Sequence, residues 1–285
     1  MDALIDPFIQ DIAASAGRQR ARGDIRVAFA RAGARTEAAR VFATGGWRVK
    51  FPRAGAECEA VIVNTGGGMA GGDKARVDLT LAPGARALAT TQSAEKIYRA
   101  DGAEIEVEAR LEVEAGARLV WAPQETILFE GSRCRRRLEA DVAADGSLLI
   151  VEATVFGRLA HGETRIDAAF RDDWRIRKDG KLLFAEATRI ENAGATLDRL
   201  ALGRGGRALA TLLYVDAEAP ARLDALRAAL DAVMGDEGEW LEAAAGIVDG
   251  AVVARALSPA PHRLRAAMIA AMRALRGVAA PRVWS

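Results

Sequence analysis

The chain is predicted to be mainly β, a β-helix-like stack of strands with a smaller α/β portion at its C-terminal end. Three observations carry this. Apolar and charged residues alternate over long runs, most clearly where Ile105, Val107, Ala109, Leu111 and Val113 are interleaved with Glu104, Glu106, Glu108, Arg110, Glu112 and Glu114, the period of a half-buried strand. A turn sequence recurs: LAPGARAL at Leu81 to Leu88 returns as VEAGARLV at Val113 to Val120, with glycines 32 residues apart, and more weakly as VAADGSLL at Val142 to Leu149. Helical spacing, by contrast, is confined to the last third. A strand–turn–strand unit that repeats at this length suggests rungs that stack and share one core. A plain antiparallel sandwich produces similar alternation and stays open as the alternative.

In chain order, residues 1–24 read as a loose lead-in, because their end is polar and rich in Arg, Ala and Gly. Residues 25–215 form the β body. Ile25, Val27 and Phe29 alternate, as do Trp47, Val49 and Phe51, and Val77, Leu79 and Leu81. Residues 216–285 form the C-terminal portion, packed on the body in one compact domain. Pro220 to Met234 carries Leu223, Leu226, Leu230 and Val233 at helical spacing, with Pro220 suited to the first turn and Gly235 to the stop. Trp240 to Ala245 and Ala251 to Leu257 read as paired strands around Asp249-Gly250. A last helix spans about Ala260 to Arg276, with Leu264, Met268, Ala271 and Leu275 on one face and Gly277 as its end.

Composition narrows the function. Hydrophobic residues make up 51% of the chain, ample for a core. Lys plus Arg number 40 against 39 Asp plus Glu, which leaves no electrostatic footprint for nucleic acid or an anionic membrane. The cluster Arg133, Arg135, Arg136 and Arg137 reads first as a solvated strand edge or loop and second as a partner-binding patch. Cys58 and Cys134 lie far apart, without zinc spacing, and no disulfide is expected. The start MDALIDPF lacks the basic and apolar segments of a secretory signal, and no run approaches the ~18 apolar residues of a membrane span. A cytoplasmic location is expected.

One stretch invites a nucleotide reading. NTGGGMAGGDK, Asn64 to Lys74, contains five glycines, and Gly66, Gly68 and Gly71 satisfy G-x-G-x-x-G after the apolar run Ala60 to Val63. A pyrophosphate site needs a following helix, whose N-terminus supplies free N–H groups. Here Arg76 to Leu81 alternates as a strand instead, and Lys74 has no Ser or Thr beside it. The stretch therefore reads as a glycine turn between strands, shaped by Gly66, Gly67, Gly68, Gly71 and Gly72.

No nucleophile motif is present, and His161 and His262 are too distant in sequence to suggest a metal site. What remains is a set of polar residues in strand-like runs, where burial is costly unless a group is paired or used. They are Asp73, Glu95, Lys96, Tyr98, Gln124, Glu125, Glu130 and Glu163. Either they satisfy one another as buried pairs, or they line a polar channel. Oxygen ligands without His or Cys would hold a borderline metal weakly, which suits passage rather than storage.

Five stretches resemble the family of urease accessory proteins UreD, also called UreH: VIVNTGGGMAGGD from Val61 to Asp73, TTQSAEKIYR from Thr90 to Arg99, WAPQETILFEGS from Trp121 to Ser132, FGRLAHGE from Phe156 to Glu163, and RIRKDGKLLFAE from Arg175 to Glu186. The resemblance implies a β-helix-like fold with a small helical portion and no enzymatic activity. It implies a factor that binds the urease apoprotein, recruits UreF and through it the GTPase UreG, and relays nickel through a polar tunnel. By motif position, Asp73, Glu125 and Glu163 would line or support that passage, with Glu95, Lys96, Tyr98, Gln124 and Glu130 in support. No stable metal site and no tightly bound cofactor are implied, only nickel in transit. The rival readings are a carbohydrate-acting enzyme using Asp73, Glu125 and Lys96 as acid and base groups, and an adaptor whose polar interior is structural.

Overall fold

The computed structural model describes residues 20–52, 57–163, 165–236, 238–277 and 280–284. Its strands coil into stacked rungs. The first sheet has seven strands. Its centre is a parallel ladder of β1 (Arg22–Ala32), β5 (Lys74–Leu81), β8 (Ile105–Val113), β11 (Arg133–Val142) and β13 (Ala169–Lys178). At its two ends, β2 (Arg35–Thr44) and β14 (Lys181–Ile190) pair antiparallel. The second sheet holds the return strands β4 (Cys58–Asn64), β6 (Arg86–Thr91), β9 (Arg118–Trp121) and β12 (Ser147–Phe156), again parallel. After the short helix α1 (Ala193–Asp198), it continues antiparallel through β15 (Ala208–Val215), β17 (Ala251–Ser258) and β16 (Glu242–Val248), and at the other end through β3 (Trp47–Lys50). Two short strands, β7 (Glu95–Ile97) and β10 (Thr126–Leu128), make a third, narrow face beside the end of β12. A solenoid, not a plain sandwich, accounts for the alternation.

The repeat is visible as a recurring turn. Ala85 N–H donates to Ala82 O at 3.0 Å, Ala117 to Glu114 at 3.0 Å and Gly146 to Ala143 at 2.9 Å. Gly84 and Gly116 take left-handed φ values of +69° and +62°, which glycine adopts without steric cost. Asp145 stands at that place in the third copy. The strand register accordingly advances from Leu81 to Val113 to Val142, so that the glycines of the second and third turns are offset by one position.

Inward positions stack into apolar rows. Ile25, Val77, Ala109, Leu138 and Trp174 from the first sheet form one such row and meet Ile62, Leu119 and Ile150 from the second, all buried. The second sheet is also covered outside. Leu149, Val151, Leu212 and Val252 pack under α2 (Leu223–Met234) and α3 (Pro261–Arg276) through Leu226, Leu230, Leu264, Met268 and Leu275. Burial on both faces is why every residue of β12 is buried and SLLIVEATVF lacks alternation. α2 follows a single 3-10 turn over Pro220–Arg222, and Gly277 ends α3 with φ +64°. The hairpin strand β16 starts two residues beyond the expected Trp240, because Leu241 is drawn into the helix-covered core. Arg263, buried at the start of α3, donates to Val233 O and Asp236 O at 3.0 Å and to Glu239 O at 3.1 Å, which closes the end of α2.

The first sheet's outer face is solvated, and its stacked positions alternate in sign. One row runs Asp24, Arg76, Glu108, Arg137, Asp173; the next runs Arg26, Asp78, Arg110, Glu139, Arg175. Like charges directly opposite each other would destabilise the ladder; alternation avoids this. Individual exposed pairs such as Lys74 with Glu106 at 2.7 Å contribute only about 0–1 kcal/mol each. Leu111 is 1% exposed between the sheets, and Leu111→Ala is expected to lower the unfolding free energy by about 2–5 kcal/mol, read from urea denaturation with an unchanged slope.

Candidate functional site

The glycine stretch is a loop that joins the second sheet to the first. Asn64 Oδ1 accepts from Gly66 N at 2.9 Å, and its Nδ2 donates to Glu95 Oε1 at 3.0 Å. Met69 N donates to Lys96 O and Tyr98 N to Met69 O, both at 2.8 Å, while the Tyr98 hydroxyl reaches Gly67 O at 3.0 Å. Gly68, at φ +147°, has no room for a side chain: a Cβ would lie 2.3 Å from the Tyr98 ring. Asp73 closes the loop. Its Oδ1 accepts from Ala21 N and its Oδ2 from Ala70 N, both at 2.8 Å. Its carboxylate thus ties the loop to the start of β1.

Gln124 and Glu125 serve the C-terminal segment. Glu125 Oε1 and Oε2 accept from Arg265 Nε at 2.9 Å and Nη2 at 2.5 Å. Gln124 donates to Val283 O at 2.8 Å and accepts from Arg265 at 3.0 Å. Trp284, 2% exposed, donates from its indole to Thr90 Oγ1 at 3.0 Å. Glu163 pairs with the side chain of Arg158, whose hydrogen bond holds the carboxyl below its usual range. Glu130 accepts from Asp167 N at 3.1 Å. Asp73, Glu125 and Glu163 do not line one common cleft. Glu125 faces a cleft that also contains Arg158, the partner of Glu163, and Asp73 faces neither of the two clefts described below.

Glu95 is half-buried beside this loop, and desolvation pushes its carboxyl up to about 7 against the opposing hydrogen bond from Asn64.

The first cleft, of about 410 Å³, lies between the sheets where β13 and β14 face β15, β16 and β17. It is organised by Arg136. The guanidinium donates to Asp172 Oδ1 at 3.0 Å and Oδ2 at 2.5 Å, and Nη1 stands 2.9 Å from Glu152 Oε2. That last contact is an ion pair without hydrogen-bond alignment, and among the described residues Glu152 Oε2 accepts no hydrogen bond. Indole N–H groups hold the other oxygens: Trp121 donates to Glu152 Oε1 at 2.7 Å and Trp174 to Asp172 Oδ1 at 3.1 Å. Glu186 adjoins, paired with Arg255 at 2.6 Å. Two carboxylates share one guanidinium, and burial opposes the full ionisation of both. Burial raises the Glu152 carboxyl above its usual range, opposed by Arg136. Burial opposes the charge of Arg136 as well, but Asp172 and Glu152 outweigh it and keep the guanidinium protonated. Removing one member of such a group leaves the others unpaired, at a cost of about 3–5 kcal/mol.

Sequence reasoning missed this trio, although a signal was present. Cys134 and Leu138 face inward by strand parity, so Arg136 between them must face inward too, away from Arg133, Arg135 and Arg137. Glu152 is the lone charge in an otherwise apolar or neutral run of ten residues.

The second cleft, of about 580 Å³, lies beside β10, and both His161 and His262 line it despite their distance in sequence. Among the described residues no three His, Cys, Asp or Glu side chains are placed to hold a metal ion.

Comparisons with known proteins converge. A family model described as "UreD urease accessory protein" matches residues 21–285. The chain is 43% identical over 281 residues to the urease accessory protein UreD of Xanthobacter autotrophicus, covering 98% of this chain and 95% of that one. It is 48% identical over 223 residues to urease accessory protein UreD 3 of Methylorubrum extorquens, covering 78% and 74%.

Asp73→Asn replaces one acceptor by an amide that faces a backbone donor, and it is expected to cost about 1–3 kcal/mol of stability, measured by chemical denaturation. Because the folded-state pKa of Glu95 is raised, to about 7, its contribution to stability is fully present below the unfolded carboxylate pKa and is lost as pH rises through about 7. Glu95→Gln should therefore remove part of the fall in urea midpoint between pH 5 and pH 8; an unchanged fall would locate the titration elsewhere.

Proposed function

The chain belongs to the UreD family of urease accessory proteins, and from that premise we propose that it matures urease in the cytoplasm by binding the apoprotein and relaying nickel to it from UreF and the GTPase UreG. Nickel is cargo here, not a resident cofactor. The observation that best supports a relay is the cleft around Arg136, whose lining carries four carboxylates, Glu152, Asp172, Glu186 and Glu242, against two guanidinium groups, Arg136 and Arg255. Glu152, Asp172 and Glu186 are not placed to hold one ion together, so a divalent cation would meet their oxygens one or two at a time, and carboxylate and water bind a borderline divalent cation less tightly than imidazole or thiolate. Arg136 opposes a second positive charge close by, which disfavours retention. The cargo would be admitted by negative charge and released for want of a strong ligand set.

Asp73, Glu125 and Glu163 then act in support. They fix the loop, the C-terminal segment and the turn that frame the protein's third face. Against the carbohydrate-enzyme reading, which used Asp73, Glu125 and Lys96, both oxygens of Asp73 and both of Glu125 already accept hydrogen bonds.

The test is the nickel content and specific activity of urease from otherwise identical cells with and without this chain, at limiting nickel. Urease is expected to accumulate nickel-poor and inactive in its absence; full loading either way would overturn the maturation reading. Glu152→Gln keeps an acceptor for Trp121 but removes a charge. It is expected to lower loading several-fold with the folded protein at its normal level, whereas unchanged loading would favour the structural adaptor.

A further inference from the structure

The second cleft has no part in the relay just described. Its floor is apolar, built from Ile127, Phe129, Val155 and Leu159. Its rim carries Lys96, Arg158 and Arg265, of which Arg158 is paired with Glu163 and Arg265 with Glu125, leaving Lys96 as the rim cation without a salt bridge among the described residues. The carboxylate in the lining, Glu125, is already neutralised by Arg265 through two hydrogen bonds. The Lys96 ammonium makes no hydrogen bond or ion pair among the described residues, and its electrostatic partner is the adjacent Glu95 carboxyl. His161 and His262 add ring N–H donors at opposite walls.

The walls are preformed. Phe129 N donates to Ile97 O at 3.0 Å and Gly157 N to Leu128 O at 2.8 Å, so β7, β10 and the turn after β12 are bonded to one another. Arg158 stacks over the Phe129 ring at 4.7 Å, and Tyr98, 37% exposed, meets the same ring edge-on at 5.1 Å. Four of the sequence stretches singled out above thus meet on this face. A rigid apolar trough with a lysine and two histidines at its rim has the form of a groove that receives a segment with apolar anchors and carboxylates. Its volume also falls within the range of ordinary binding clefts.

We propose that this cleft, between β10, the 157–163 turn and the start of α3, is a docking site for an acidic, apolar segment of a partner protein. The proposal rests on the reading that the chain works through partner proteins. Apolar side chains of the segment occupy the floor, and its carboxylates meet Lys96, the outer edge of Arg158 and the two histidines.

The test places p-benzoylphenylalanine at position Ala160, exposed on the cleft wall, in cells expressing the complete urease gene cluster, followed by irradiation and sequencing of the crosslinked peptide. The expected product is a partner segment rich in apolar residues with more Asp and Glu than Lys and Arg. Lys96→Glu should reduce its yield at least about tenfold, the effect of one lost charge contact worth about 1.4 kcal/mol, while Lys96→Arg retains it; both variants are checked for an unchanged melting temperature. A basic or uncharged segment, a second copy of this chain, the absence of any crosslink, or a yield indifferent to Lys96→Glu would each overturn the proposal. Failure of the maturation reading is recognised separately, as urease that loads fully in cells lacking the chain.

Discussion

Parallel stacking of the rungs is the constraint on which the rest of the structure depends. In a parallel ladder each residue lies directly over its counterpart in the next rung, so a side chain must suit a row, not merely a place in a strand. Outside, that rule produces rows of alternating sign. Inside, it produces apolar rows, with one instructive change of character. The inward row that begins Gly23, Ala75, Val107 continues as Arg136, Asp172 and Thr188. The same stacking that packs methyl groups in the early rungs places a guanidinium over a carboxylate in the late ones. The polar cleft is therefore a continuation of the core by other residues, not an insertion into it.

How much of this was legible in the sequence follows from the same rule. Local periodicity exposed β8, the recurring turn and the two C-terminal helices, because each leaves its signal within a dozen residues. It could not separate solenoid from sandwich, since both alternate, and it could not resolve β12, whose two faces are both buried. The short strands β7 and β10 exist only through their partners and carry no period of their own. Polar residues were recognised as unusual, but not their uses. Glu125 meets Arg265 across 140 residues of chain and Gln124 meets Val283 across 159. No spacing motif encodes contacts at that range. Arg136 was obscured for a different reason: a run of arginines reads as a solvated surface unless strand parity is applied residue by residue.

The helical layer has a structural part to play besides covering the second sheet. α3 begins with Arg263 bonded to three carbonyls around the end of α2, and two residues later Arg265 grips Gln124, Glu125 and the Trp284 carbonyl. Solenoid, helices and C-terminal segment are thus joined through two neighbouring arginines. A disturbance of α3 would reach β10 and the third face directly, and this couples the stability of the C-terminal portion to the geometry of the docking cleft.

The antiparallel strands that finish the first sheet have a consequence for life at high concentration. A coil of parallel strands is an open template: its terminal rung presents the same unpaired N–H and C=O groups that every inner rung satisfies with the next, so a second molecule could extend it end to end into a fibre. β2 and β14 interrupt that series, because each folds back on its neighbour in the reverse direction. An incoming rung would meet a strand of the wrong polarity and, across the outer face, charge rows that end on uncharged residues, Thr44 and Phe42 at one edge and Ala187 and Ala185 at the other. The molecule can grow long in its own direction and still stop.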